Sequence, residues 1–204
     1  MNQSNPGNTN PVVITVLQQN IHHNSQDALR ELYTIYLPRL LKFALQYVRT
    51  KEVAEELVND VMVNIWNHRH TIHEIRDLET YLFVAVRNKA LNYLESYSNY
   101  QVRMIEGDEQ ARVINVNDPA KELEWKEIAF ELEKAIDTLP SQCRTVFKLI
   151  REDGFKYKQV AEILNLSPRT VETQLFRAIK KLDKILQSHH AVSKSRSIRA
   201  KIEV

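Results

Sequence analysis

Glycine is scarce in this chain, with three in 204 residues. Sheets and hairpins use glycine at their tight turns, so the scarcity argues against a strand-rich fold. Cysteine is scarcer, with Cys143 alone. A single thiol excludes an internal disulfide framework and fits a reducing, cytoplasmic setting. No apolar run approaches the roughly 18 residues of a membrane helix, so no insertion into a membrane is expected. The first residues, MNQSNPGNTNP, do not follow the basic-then-apolar plan of a signal peptide. Residues 1–24 are expected to be a disordered or weakly ordered extension. Excess charge is missing as well. Lys and Arg total 28 against 26 Asp and Glu, so any contact with nucleic acid must use local patches. No glycine-rich phosphate loop or nucleophile elbow is visible. Neither catalytic residues nor a cofactor is expected, and the chain does not read as an enzyme.

What is present is clearest at Gly154–Leu186. Asp153-Gly154 closes one helix, because glycine tolerates the left-handed backbone of a helix end. Val160, Ala161, Ile163 and Leu164 then repeat at helical spacing. Asn165 can end that short helix, and Leu166 can tuck behind it. Ser167 suits an N-cap and Pro168 suits the first helical position. Val171, Leu175, Ala178, Leu182 and Ile185 share one face of the helix that follows. Arg169, Glu172, Thr173, Arg177 and Lys180 point elsewhere, with side chains that can reach bases and phosphates. Helix, tight turn and second helix with a basic outer face form the pattern of a DNA-binding helix-turn-helix.

The remaining chain divides into helices. Val12–Leu17 reads as a helical turn or a docking arm. Ser25 or Asp27 can cap a helix through Val48, with Leu29, Leu32, Tyr36, Leu40, Phe43 and Tyr47 as its stripe. Pro38 should bend or break it. Lys51–Trp66 is a second helix, buried through Ala54, Leu57, Val58, Val61 and Ile65. Polar residues 67–77 follow. Leu78–Tyr97 is a third helix, with Leu82, Ala85, Val86, Leu91 and Leu94 inward. Residues 98–117 read as an acidic, flexible linker. Asp118-Pro119 opens a helix to Asp137, and Ser141 caps the next, whose core is Val146, Phe147 and Ile150. Cys143 packs beside Phe147 or lies near the surface. Residues 188–204 form a basic, flexible tail. The expected fold is all-α: two small helical domains, 25–97 and 118–187, joined by that linker.

Two of these segments resemble a known family. EVAEELVNDVMVNIW at 52–66, paired with YLFVAVRNKALNYL at 81–94, resembles region two of the sigma-70 proteins. LPSQCRTVFKLI followed by YKQVAEILNLSPRTVETQLFRAIKKL resembles region four. The two blocks joined by only a short linker are similar to extracytoplasmic-function (ECF) sigma factors. The resemblance spans about Ser25–Leu186. It implies a helical bundle and a helix-turn-helix domain that bind core RNA polymerase and promoter DNA. The first block would read and open the −10 element, and the second would grip the −35 element. It also implies an anti-sigma partner, membrane-spanning in many relatives.

Carried onto this sequence, the resemblance gives three residue sets. Asp60, Val63, Asn64 and Trp66 would face the polymerase, although Trp66 near a helix end can also be core. Arg69, His70, Thr71, His73 and Arg76 fall in the reader of unpaired promoter bases. Holding a flipped base needs hydrogen-bonding side chains and an apolar or aromatic wall. Arg87, Asn88, Lys89 and Asn92 follow at roughly one-turn spacing. Asn can pair with base edges while Arg and Lys hold phosphates; a solvated helix face is the alternative. Arg169, Glu172, Thr173, Gln174, Phe176, Arg177 and Lys180 would read the −35 duplex. Glu172 and Gln174 depart from the basic residues often found there, and suit cytosine N4 and adenine respectively. Phe176 can lean on a thymine methyl or simply pack.

Two rival readings remain at this level. One is a helix-turn-helix regulator that acts without polymerase. The other is a helical adaptor whose hairpin grips protein. HRHTIH at 68–73, with His22-His23, invites a metal site, but no cysteine or carboxylate set completes one, so no metal is expected.

Overall fold

A computed structural model describes residues 10–104 and 132–200, with side chains at 10–97 and 132–185. Among the described residues the structure is helical, without a strand. Helix α1 is Pro11–His22, α2 Gln26–Ala44, α3 Lys51–Asn67 and α4 Leu78–Met104, with a single 3-10 turn at Ile72–Glu74. A short helical segment α5 at 132–137 precedes α6 Ser141–Arg151, α7 Tyr157–Leu164 and α8 Pro168–Ala200. The all-α expectation holds.

The N-terminal segment departs from expectation. Residues 11–22, placed in a disordered or weakly ordered extension with only Val12–Leu17 as a helical turn or docking arm, form a capped helix. The Asn10 side chain accepts from Val12 N at 3.0 Å, and Pro11 occupies the first turn. Ile14, Leu17 and Ile21 are buried on one face, and α1 packs on α2 and on the 3-10 turn. Three apolar side chains at helical spacing, removed from water together, stabilise this docking by several kcal/mol, at about 1.5–3 kcal/mol each. Helix α2 starts at the Ser25 cap and passes through Pro38 without a break, although proline withholds one backbone donor. Thr50 caps α3. Helices α2, α3 and α4 pack on one another to complete the first block.

Two helices run further than their expected ends. α4 continues into the expected linker as far as Met104, and α8 continues into the expected tail as far as Ala200. Neither stretch contains glycine or proline to stop it. The rest of the linker, and the expected helix start at Asp118-Pro119, lie outside the described residues. In α4 the inward set needs correction. Leu82 and Val86 are buried, but Leu91 and Leu94 are 38% and 37% exposed, while Phe83 and Ala90 are buried instead. Helix α4 is covered by α2, α3 and α7, and Phe83 meets Phe43 of α2 and Phe155 before α7. Ser141 is the first residue of α6 and not its cap. Cys143 is buried in a small cluster with Ala135, Ile136, Leu139, Ala178 and Leu182, and Phe147 packs against it.

The blocks meet along a seam. Phe83 of α4 and Phe155, in the turn before α7, pack at 4.8 Å between ring centroids. The Arg39 guanidinium lies over both rings at 5.4 and 5.5 Å. It also pairs with Glu79 and with Asp153, at 3.0 Å for the latter, and donates to the Asp153 carbonyl at 3.1 Å. Burial works against the charge on Arg39, but the two carboxylates more than offset it and hold its pKa above the usual arginine value. Burial pushes the carboxyls of Glu79 and Asp153 up, with Arg39 countering only part of that. Gly154 beside them is left-handed, at φ 77°, where a side chain would be strained.

Candidate nucleic-acid interface

Helix α8 presents its first turns outward because its apolar stripe faces inward. Val171, Leu175, Ala178 and Leu182 are buried, and Ile185 is half-buried. Ser167 accepts from Thr170 N at 3.0 Å and Asn165 is left-handed at φ 54°, so the turn forms as the sequence implies. Arg169, Glu172, Thr173, Arg177 and Lys180 are exposed. Phe176 is 67% exposed and so does not pack, which leaves an aromatic face for a base or a methyl group. Gln174 differs. It is half-buried, donates to Gln142 Oε1 at 2.8 Å and accepts from Cys143 Sγ at 2.8 Å. Its amide is occupied by α6, so Gln142 becomes the exposed end of a two-glutamine chain.

The first block offers a loop and a helix face. Residues 67–77 run from the end of α3, through the 3-10 turn, to the cap of α4. Asp77 provides that cap, accepting from Thr80 N at 3.0 Å and Thr80 Oγ1 at 2.8 Å. Gln159 of α7 also donates to it at 2.8 Å. Burial alone would raise the Asp77 pKa, but these hydrogen bonds hold it below the usual aspartate value. His70, Thr71, His73 and Arg76 are exposed. Arg69 is not free in the same way. Its guanidinium donates to Asn24 Oδ1 at 2.6 Å and to the Trp66 carbonyl at 3.0 Å, and lies 4.8 Å from the Trp66 ring. It braces the loop on its inner side.

On α4, Asn88 and Asn92 are exposed. Arg87 is half-buried and donates to Asn88 at 3.3 Å. Lys89 pairs with Asp60 of α3 at 2.8 Å, so a residue expected on DNA meets one expected on polymerase. Both are substantially exposed, and a pair in that setting is worth little; either partner can exchange it for another. Beyond Asp60, Val63 is 58% exposed and Asn64 is exposed, while Trp66 is half-buried. Val63 and Trp66 line a groove of about 500 Å³ between α2 and α3, with Leu29, Tyr33 and Met62. Trp66 is therefore partly core and partly wall of an open apolar groove.

The histidines converge more than their sequence positions suggest. The His22 ring lies 4.2 Å from His73, 5.0 Å from His23 and 6.3 Å from His70. Among the described residues no group is arranged to hold a metal ion, and none of the described helices is long and apolar enough to cross a membrane.

Known proteins supply the frame for these surfaces. Residues 32–99 match the family model of sigma-70 region 2, and residues 121–182 match that of sigma-70 region 4. The chain belongs to the sigma-70 family. It is similar to the ECF RNA polymerase sigma factor SigM of Bacillus subtilis, 26% identical over 153 residues, which cover 74% of this chain and 91% of SigM. It is also similar to the RNA polymerase sigma-H factor of Pseudomonas aeruginosa, 21% identical over 180 residues, 84% of this chain and 92% of that one. Among solved structures, it shares its fold with the sigma factor RpoE co-crystallised with the anti-sigma factor NepR from Bartonella quintana. That match has a TM-score of 0.58 and 22% identity, over 78% of this chain and 96% of RpoE. In sigma-70 terms, region 2 holds the loop, the exposed face of α4 and the α2–α3 groove, and region 4 holds the helix-turn-helix.

The residue reading from sequence missed the support of the loop. Gln18, His22 and Asn24 all bond to it. One sign was present: Gln18 is a polar residue on the same helical stripe as Ile14, Leu17 and Ile21.

Proposed function

We infer that this sigma-70 protein binds core RNA polymerase and directs it to promoters, reading the −10 element with residues 67–92 and the −35 element with the first turns of α8. The observation that carries this is the pairing, in one chain, of region 2 at 32–99 with region 4 at 121–182. The α2–α3 groove, with Val63 and Trp66 on its wall, has the apolar, half-open character of a protein-binding surface; we assign it to polymerase together with Asp60 and Asn64. His70, Thr71, His73, Arg76, Asn88 and Asn92 would meet the separated strand. Arg169, Glu172, Thr173, Phe176, Arg177 and Lys180 would enter the duplex groove. RpoE is seen with an anti-sigma factor, and a protein of that kind is the regulator we propose here.

Both elements cannot be read while the seam is closed. They are named for positions about 25 base pairs apart, on the order of 80 Å of duplex at about 3.4 Å per pair. The seam holds the two blocks in direct contact, and even the longest element, the 33-residue α8, spans only about 50 Å at about 1.5 Å per residue. The Arg39 seam therefore has to open when both blocks engage one promoter.

The deciding experiment is in vitro transcription with core polymerase on a genomic promoter library, alongside sedimentation with core. A stoichiometric complex and a shared two-element promoter are expected. Tight operator binding by the chain alone, with no core complex, would replace this reading by that of a polymerase-independent regulator.

A further inference from the structure

The loop at 67–77 is short, polar and largely exposed, and three of its carbonyls are held by one neighbouring helix. Gln18 of α1 is only 7% exposed. Its Nε2 donates to the Ile72 carbonyl at 3.0 Å and to the Ile75 carbonyl at 2.9 Å. These two acceptors bracket the 3-10 turn that carries His73. One helical turn along α1, His22 Nδ1 donates to the His70 carbonyl at 3.0 Å. Just past α1, the left-handed Asn24 accepts from Arg69 Nε at 2.6 Å. Ile72 is the loop's apolar anchor and is buried. The α1 contacts thus grip main chain at 70, 72 and 75 and leave the side chains of His70, Thr71 and His73 exposed, with the His73 ring 4.2 Å from that of His22 and the Thr71 hydroxyl donating to the His68 carbonyl at 3.1 Å.

We propose that Gln18 is a positioning residue for promoter reading: it sets the backbone of the strand-reading loop without touching DNA. This rests on the reading of 67–77 as the −10 reader. The physical ground is that one amide group supplies both N–H donors to two carbonyls flanking a tight turn. The Ile72 carbonyl also accepts from Ile75 N at 3.2 Å and would keep that donor, but the part-buried Ile75 carbonyl would lose the bond from Gln18, which is costly, so the end of the turn would shift to find another partner. A base-holding loop tolerates little of that, because small displacements of contacting groups cost binding steeply. Packing alone does not account for glutamine here, since Ile14, Leu17 and Ile21 fill the rest of the same buried face with aliphatic side chains.

The test uses holoenzyme assembled from core polymerase and the full chain. The probe is a forked DNA carrying the best library promoter, with its −10 non-template strand single. Gln18→Leu keeps the volume and removes both donors. It should weaken fork binding about tenfold, the scale of one or two lost hydrogen bonds, with core affinity and binding to a −35 duplex fragment changed less than about twofold. Gln18→Glu keeps the shape but turns a donor into an acceptor. Its defect relative to wild type should shrink between pH 8 and 6, because a buried carboxyl takes up a proton and regains an O–H donor. A buried carboxylate is disfavoured whatever its role, so core affinity is read over the same pH range: a filler of space would move core affinity and fork binding together, whereas a positioning residue moves fork binding alone. The neighbouring His22, His70, His73 and Glu74 are common to wild type and variant, so only the difference between the two is read.

His70→Ala/His73→Ala reports on the loop itself. If that variant loses fork binding and Gln18→Leu does not, the Gln18 proposal is overturned and the loop reading stands. If the loop variant binds the fork as well as wild type, the loop reading fails and the proposal goes with it. If Gln18→Leu loses core affinity and fork binding in equal measure, Gln18 is a general fold residue and the proposal is wrong. Should Gln18→Leu fail to fold, Gln18→Glu decides: a pH-dependent fork defect at constant core affinity supports the proposal, and a pH dependence that is absent or shared with core affinity overturns it.

Discussion

The loop at 67–77 and the first turns of α8 present polar side chains to solvent by opposite means. The helix carries its own geometry. Its backbone bonds are internal, Ser167 caps it, and the stripe from Val171 to Leu182 orients it. The loop has one turn of 3-10 helix and borrows its shape from α1 through Gln18, His22 and Asn24. A reader built on a helix is altered mainly by changing the residues that touch DNA. A reader built on a braced loop is also altered from behind.

The seam between the blocks tests whether the two readers are separate devices. Arg39 is 12% exposed and faces two carboxylates. Arg39→Met would leave Glu79 and Asp153 without their counter-charge, and breaking a buried pair in this way costs about 3–5 kcal/mol. The expected outcome is a fall in Tm of roughly 6–20 °C and a larger radius of gyration by small-angle scattering. Binding to a fork probe and to a −35 duplex probe, each measured singly below the new Tm, should hold. Loss of either would mean that the seam shapes a reader as well as joining the two.

Legibility followed the range of the interactions. Gly154, Asn165 and Ser167 were readable because each satisfies a backbone demand a few residues away. The apolar stripe of α8 was readable for the same reason. Leu91 and Leu94 were expected inside and lie half out, because which stripe of α4 is covered depends on α7, which sits far along the chain. Gln18 meets Ile72 across 54 residues, Lys89 meets Asp60 across 29, and Gln174 meets Cys143 across 31. No local pattern announces such pairs. The candidate residues were thus legible as side-chain types on exposed faces. Their availability was not: Arg69 and Gln174 had the right chemistry and are already engaged.

That engagement predicts unequal effects within the set. Arg177 is exposed on α8, and Arg177→Ala should weaken binding to −35 duplex by about 1–3 kcal/mol, with the salt slope reduced by about 1. Gln174→Ala should act less on the duplex and more on the Gln142–Gln174–Cys143 contacts, seen as a Tm loss. An equal loss of duplex affinity in both variants would mean that Gln174 swings out to read DNA.

On the first block, Asn88 is exposed on α4 and is assigned to the separated strand. Asn88→Ala should slow promoter opening, followed by permanganate reactivity of unpaired thymines, by several-fold, the scale of one base-edge pairing. Recruitment to duplex should change less than about twofold. Matched losses in the two assays would move Asn88 from the strand to the duplex.

The smallest effect separates the two readers by their caps. Asp77 ends the loop and caps α4 with a carboxylate, while Ser167 caps α8 with a hydroxyl. Either cap replaced by alanine should cost about 1 kcal/mol near neutral pH, or roughly 2–4 °C in Tm. Their pH dependence should differ. The Asp77 pKa is lowered in the folded protein, so its charged form is favoured by folding. That contribution is fully present above the unfolded aspartate pKa of about 3.9, and it is lost as pH falls through the lower folded value. The serine cap has no charge to lose. Thermal melts of Asp77→Ala and Ser167→Ala from pH 7 down to pH 3 should therefore show the Asp77 penalty shrinking at the acid end while the Ser167 penalty holds. Parallel curves would mean that the Asp77 carboxylate acts only as a neutral acceptor does, and that the bonds from Thr80 and Gln159 do not depend on its charge.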